Sequence, residues 1–305
     1  MEILSKIVPI AMLAFVLSSM LSMGLSLTVA QILAPLRNYR LIALALLANF
    51  VLMPFASLGI AKLLRLDEPL GIALVLLGTA SGAPFLPLLA RVNRGNLAFS
   101  VGLMVLLMVV TVGYMPLVLP LMLEGVSVDP MKIGRSLVFL MMLPLAIGLL
   151  VKARLSGLAS KVQPSLGRVS ILSLTLVIVL LLITNMQNLL NLYGTRGVLA
   201  SILFIATGSG IGWVLGGPQS DTRGVMALGN AQRNIAAALV VGGQNFSDPR
   251  VVVMVVVVAI VGLLMLMPLA KYLAKFSQPA SQSGDNSPEL QSLGHSAADG
   301  VRRGL

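Results

Sequence analysis

The chemistry in this sequence is concentrated in GNAQRNIAAAL, residues Gly229 to Leu239, where Arg233 is surrounded by Asn230, Gln232 and Asn234. A guanidinium carries five N–H donors in a rigid plane and keeps its charge, so this set can grip a carboxylate bidentately or collect several carbonyl oxygens. The flanking residues are apolar, and Arg at the centre of a bilayer costs about 2.5–3.5 kcal/mol on insertion scales, so the cation needs partners. Three readings stand open for Arg233. It is a structural counter-charge for carbonyls of unwound backbone, a ligand for an anionic substrate, or a long side chain reaching the cytoplasmic surface. The first two are compatible.

A second polar set lies in LGIALVLLGTASGAPFLPLLA, where Thr79 and Ser81 sit among Gly78, Gly82, Pro84 and Pro87. Pro84 has no N–H and would clash with the carbonyl four residues earlier, so the helical ladder is expected to open near Ala80. Polar residues within a span serve either as helix–helix hydrogen bonds, worth about 0.6 kcal/mol on average, or as ligands. Asn185, Gln187, Asn188 and Asn191 are expected at the extracellular end of a span, and Gly208, Gly210 and Gly212 as a close-packing face.

Other chemistries lack residues. There is no cysteine, the one histidine is His295 near the C-terminus, and the ten acidic residues (Glu2, Asp67, Glu68, Glu124, Asp129, Asp221, Asp248, Asp285, Glu289, Asp299) fall in loops, at ends or in the tail. An intramembrane nucleophile with its base, or a metal cluster, therefore has nothing to be built from, and the chain does not read as an enzyme. A net charge of +11 would suggest nucleic acid in a soluble protein; here the basic residues lie in short loops between apolar runs and orient the chain.

The elements that hold these residues are membrane spans. With 57% hydrophobic and 10% charged residues, this is an all-α polytopic membrane protein. Nine spans are expected, near residues 7–28, 40–64, 69–90, 96–124, 131–152, 168–193, 196–216, 221–245 and 248–276. The run Val251 to Val258 is β-branched but belongs to a helix, because an isolated strand leaves its backbone unsatisfied in lipid. Thirteen Lys and Arg fall on one side and seven on the other, which places the N-terminus outside and the C-terminus in the cytoplasm; the expected location is a cell membrane, a bacterial inner membrane. Residues 1–276 form the transmembrane domain. Residues 277–305 change to Ser, Gly, Asp and Gln and read as a disordered cytoplasmic tail. The N-terminal run lacks a small-residue cleavage site and reads as a retained span.

Spans three and eight are both interrupted, lie five apart, and so cross in opposite directions. Each is followed by a long unbroken span. That is the pattern of inverted repeats, in which broken helices cross near the midplane and form the site.

At these residues the chain resembles the bile acid:sodium symporter family: SMGLSLT, NFVLMP, GTAS followed by RGNLAFSV, GSGIGWVLG and GNAQRNIAAAL carry the likeness over nearly the whole membrane part. The resemblance implies a panel domain (spans near 7–28, 131–152 and 168–193) moving against a core domain (40–124 and 196–276). It also implies sodium ligands at Ser81, Ser100 and Asn49. The other ligand positions it implies are Gly82, Met104, Ala227, Leu228, Asn230 and Ala231, of which Gly82, Met104, Ala227 and Ala231 lack the family's side-chain oxygens. In this setting the structural reading of Arg233 becomes a fixed cation standing where relatives bind sodium.

The expected function is a secondary active transporter of a small organic anion by alternating access. Arg233, Gln232, Asn234, Asn230, Thr79 and Ser81 are the candidate substrate residues, with no cofactor beyond sodium. A non-transporting membrane sensor or scaffold on the same fold is the alternative. The expected partners are the anion and the lipid bilayer, not nucleic acid; the oligomeric state is not readable.

Overall fold

The computed structural model describes residues 2–33, 38–123, 129–184 and 196–276. Asn185, Gln187, Asn188, Asn191, and the tail with His295, fall outside the described residues. The elements are α1 (Glu2–Ser26), α2 (Val29–Leu33), α3 (Tyr39–Leu47), α4 (Met53–Leu63), α5 (Glu68–Thr79), α6 (Leu86–Val92) and α7 (Leu97–Met122). They continue with α8 (Pro130–Leu137), α9 (Leu143–Arg154), α10 (Ser156–Thr184), α11 (Gly197–Leu215), α12 (Ser220–Ala231), α13 (Ile235–Asn245) and α14 (Pro249–Leu273). The described residues contain no strand, and Val251 to Val258 lies wholly in α14.

Seven continuous helical stretches among the described residues are long and apolar enough to cross a membrane: α1, α3 with α4, α7, α8 with α9, α10, α11 and α14. The protein is a multi-pass helical membrane protein. The expected third and eighth spans are the two interrupted ones. α5 stops at Thr79 and α6 resumes at Leu86; α12 stops at Ala231 and α13 resumes at Ile235. The sixth expected span begins twelve residues earlier than hydropathy suggested, because α10 extends through the polar stretch at Lys161 and Arg168.

Two further irregularities are single π-helical turns, Ala48–Leu52 and Val138–Met142. Each immediately precedes a Leu-Pro or Met-Pro pair, Met53-Pro54 and Leu143-Pro144. A proline cannot donate to the carbonyl four residues back and crowds it, so the ladder widens by one residue there. In the first case the released Phe50 carbonyl accepts from the Tyr114 hydroxyl of α7, and the two rings meet at 4.8 Å with their planes tilted by 58°.

Packing divides the helices by contact. α1 lies against α9 and α10, while α4, α5, α7, α11, α12, α13 and α14 pack among themselves. The two groups touch where α1 meets α13, where α8, continuous with α9, meets α7 and α13, and where α10 meets α14. Gly208 and Gly212 of α11 form the expected close-packing face: a Cβ at Gly208 would stand 2.9 Å from the Ala231 Cα, and one at Gly212 2.8 Å from the Ala227 Cα. Gly210 does not belong to it. It points away, with nothing within 4 Å, since a helix face recurs every three to four residues rather than every two.

Candidate functional site at the helix breaks

The interruptions of α5–α6 and α12–α13 meet. α5 packs on α13 and α6 on α12, so each broken helix crosses the other at its gap. The crossing is joined backbone to backbone: Asn234 N–H donates to the Ala80 carbonyl at 3.0 Å. Gly82 makes the first gap possible. Its φ is +79°, in the region favouring glycine, and a Cβ there would stand 2.6 Å from the Met108 Cα and 2.7 Å from the Met104 carbonyl of α7.

Arg233 lies in the second gap, 2% exposed. Its Nε donates to the Leu77 carbonyl at 2.8 Å and Nη2 to the Gly78 carbonyl at 2.6 Å. Nη1 donates to Asn49 Oδ1 at 2.9 Å and to the Asn230 carbonyl at 3.1 Å. Three of the four acceptors are last-turn carbonyls of α5 and α12, the partially negative ends of those helices, and the Leu77 carbonyl also accepts from the Ala80 N–H. Hydrogen bonds to a charged group contribute about 1.5–3 kcal/mol each, so two already match the insertion cost of the charge. The guanidinium points inward to backbone and Asn49, not out toward the cytoplasmic surface as the third reading of the sequence had it.

Asn49 reaches the cluster from the π-turn before Pro54. Its Oδ1 also accepts from Ser81 Oγ at 2.7 Å, while its Nδ2 donates to the Ala45 carbonyl. Ser81 is further tied to α7, donating its N–H to Thr111 Oγ1 at 3.0 Å and accepting from that hydroxyl through its carbonyl. Asn234 serves both gaps at once: its Oδ1 accepts from Ala237 N–H and caps α13, and its Nδ2 donates to the Gly82 carbonyl at 3.1 Å. Asn230 Nδ2 donates to the Gly208 carbonyl, and its buried Oδ1 takes no donor from the described residues.

The remaining predicted residues divide. Thr79 is buried and its hydroxyl is turned back onto the Val75 and Leu76 carbonyls of its own helix. Ser100 is buried in α7 and donates to the Leu97 carbonyl, without a hydrogen bond to Ser81 or Asn49. Two residues of the set, Gln232 and Arg233, line a cavity of about 540 Å³.

That cavity lies where the two helix groups meet. Phe15 and Ser19 of α1 and Ser170, Leu174 and Ile178 of α10 form one wall; Ala83, Pro84 and Phe85 of the first gap and Val256, Ala259 and Leu263 of α14 form the other. Its surface is mostly apolar, and its polar lining residues are Ser19, Ser170, Thr175, Gln232 and Arg233. A second cavity of about 270 Å³ adjoins it through the shared residues Ser19, Pro84 and Ser170, and adds Ser22, Ser26 and Gln163. Across this smaller space Ser22 and Gln163 join α1 to α10, Gln163 Nε2 donating to Ser22 Oγ and Ser22 Oγ donating to the Gln163 carbonyl. Hydropathy missed both walls contributed by α10, because in a span apolar on every side no periodicity marks the face turned to a cavity.

Broken apolar helices crossing over a polar cluster, inside a bundle of spanning helices, define a polytopic membrane protein with an interior site. The model of the sodium bile acid symporter family matches residues 12–192, and the chain belongs to that family. The chain is similar to "Probable sodium/metabolite cotransporter BASS1, chloroplastic" of Oryza sativa subsp. japonica, 24% identical over 79% of this chain and 60% of that protein. It is similar also to "Uncharacterized sodium-dependent transporter YocS" of Bacillus subtilis (strain 168), 25% identical over 65% of this chain and 60% of that protein. The match to the Arabidopsis thaliana BASS1 protein is 24% identical, covering 76% of this chain and 58% of the relative. The chain thus spans about three fifths of the length of these relatives.

Proposed function

We propose that this protein is a secondary transporter that moves a small organic anion across a cell membrane by alternating access. The observation that carries the reading is the 540 Å³ cavity between α1–α10 and the crossed helix gaps, largely apolar but with Gln232 and the buried cation Arg233 in its lining. An amphipathic carboxylate suits such a space: its apolar body removes hydrocarbon surface from water and its charge lies toward the positive end. Relatives named as sodium/metabolite cotransporters and as a sodium-dependent transporter support transport as the activity.

Under this reading the seven continuous spans and two broken ones make nine, arranged as two inverted repeats that each end in a broken helix and a long one. The matching starts support the pairing: Asn96 caps α7 and Asp248 caps α14, each accepting from its own first turn. α1, α8, α9 and α10 are the panel, and α3–α7 with α11–α14 the core. Rocking one against the other opens the cavity to either side, while the Ser22–Gln163 contact holds α1 to α10 within the panel. The N-terminus lies outside and the C-terminus in the cytoplasm of a bacterial inner membrane. Gln232 is the residue positioned to contact the anion directly, Arg233, Asn230, Asn234 and Ser81 hold the gaps in register, and Thr79 braces the end of α5. Uptake of candidate organic acids into proteoliposomes tests it. Saturable uptake that competes among related acids is expected, and failure of every class of carboxylate, in both directions, overturns it.

A further inference from the structure

We infer that Arg233 fills the cation site of this transporter, so that transport proceeds without sodium. The inference rests on the proposed transport function and concerns its coupling. Sodium-dependent relatives must hold a mobile cation, and a hard cation is held by a shell of oxygen ligands, with carboxylates foremost. In this chain the oxygens exposed by the two helix gaps converge on a guanidinium instead. The Leu77, Gly78 and Asn230 carbonyls and Asn49 Oδ1 all accept from Arg233. Asn49 Oδ1 takes a second donor, Ser81 Oγ, and the Ser81 and Gly82 carbonyls accept from Thr111 and Asn234.

No Asp or Glu occurs among the buried polar residues described, and no cluster of three or more His, Cys, Asp or Glu occurs among the described residues. Asn230 Oδ1 remains as one neutral oxygen, which is not a shell. A sodium ion placed here would therefore compete with a tethered cation for the same oxygens and meet its like charge at contact distance. The side-chain oxygen that a ligand at position 82 would add has no room either, since Gly82 is pressed against Met104 and Met108. The donor set does not fit sodium.

The direct test is equilibrium binding of radioactive sodium to purified full-length protein, with thermal unfolding measured in matched sodium and choline chloride. No saturable binding displaced by unlabelled sodium is expected, and the same unfolding midpoint in both salts. Saturable binding, or a midpoint raised by sodium alone, overturns the inference without using any variant. In Arg233→Ala, methylguanidinium is expected to raise the unfolding midpoint in a concentration-dependent way that tetramethylammonium does not reproduce. A folded variant insensitive to methylguanidinium overturns the claim that the gaps form a guanidinium site. Proteoliposome uptake in sodium-free choline medium separates the two proposals. Uptake that strictly requires sodium overturns this inference and leaves transport standing, whereas no uptake in either medium removes the transport reading and leaves the binding result to be judged on its own.

Discussion

Arg233 and Asn49, 184 residues apart, share a hydrogen bond of 2.9 Å at the point where the two broken helices cross. The bond joins a π-turn created by Pro54 to a gap created by the polar run after Ala231. Neither partner is charged-pair material for the other, so the contact neutralises nothing; it orients. The guanidinium plane is fixed between α5, α12 and the α3–α4 span by acceptors from all three.

Replacing Arg233 with Met removes every one of those donors while keeping an unbranched chain. Each buried carbonyl left without a partner costs about 1–3 kcal/mol. The variant is expected to unfold several kcal/mol more easily in detergent than the parent, and Arg233→Lys to fall between, because an ammonium offers point contacts rather than a planar fork. Thermal or denaturant unfolding of the three proteins checks the order.

Asn49→Leu keeps bulk and deletes the oxygen shared by Arg233 and Ser81. A loss of about 2–4 kcal/mol is expected, and Ser81→Ala in the same background should add little, since its donor has already lost its acceptor. A double-mutant cycle on unfolding free energies reads the coupling.

Gly82→Ala meets two obstacles at once, a positive φ and α7 backbone within 2.7 Å of the new Cβ. The gap cannot form without displacing α7. Size-exclusion profiles of the solubilised variant are expected to show aggregated protein, whereas Gly210→Ala, at a position with open space, should elute as the parent does.

Ala259→Phe places a ring into the 540 Å³ cavity from α14 without touching the hydrogen-bonded crossing. Unfolding is expected to stay within about 1 kcal/mol, the ordinary range for a change away from strained or buried polar features. Transport should drop tenfold or more. Retention of full uptake, measured beside unchanged expression and stability, would place the substrate path elsewhere.

Asp248, at the N-cap of α14, is held below the usual carboxylate range by its hydrogen bond to Arg250. A depressed folded pKa contributes stability above the unfolded value of about 3.9, and that contribution is lost as pH falls through the folded value. The parent is therefore expected to lose stability on acidification below about pH 4 more steeply than Asp248→Asn, its advantage being largest near neutrality and closing as the carboxylate protonates. Unfolding midpoints across an acid series give the comparison.

Much of this site was readable in the sequence because its causes are local. Pro84 and the polar run Asn230 to Asn234 each interrupt a helix regardless of neighbours, and both gaps fall where those residues predicted. Arg233 was conspicuous for its cost. What the sequence concealed are relationships at long separation: the π-turn that presents Asn49, the second gap bonding to Ala80, and the inward turn of Thr79 onto its own helix. α10 was concealed for a different reason. Its polar first turns resemble a loop by hydropathy, and its apolar remainder offers no face to distinguish cavity from lipid, so Ser170, Leu174 and Ile178 carried no signal.

The tethering of Arg233 by backbone carbonyls has an electrical consequence. A charge held by the protein does not travel with the substrate, so under the proposed coupling the charge crossing per cycle is that of the anion alone. The membrane potential does work of about 2.3 kcal/mol on each elementary charge per 100 mV. At 100 mV, interior negative, that work pushes a monovalent anion outward by roughly fifty-fold at equilibrium.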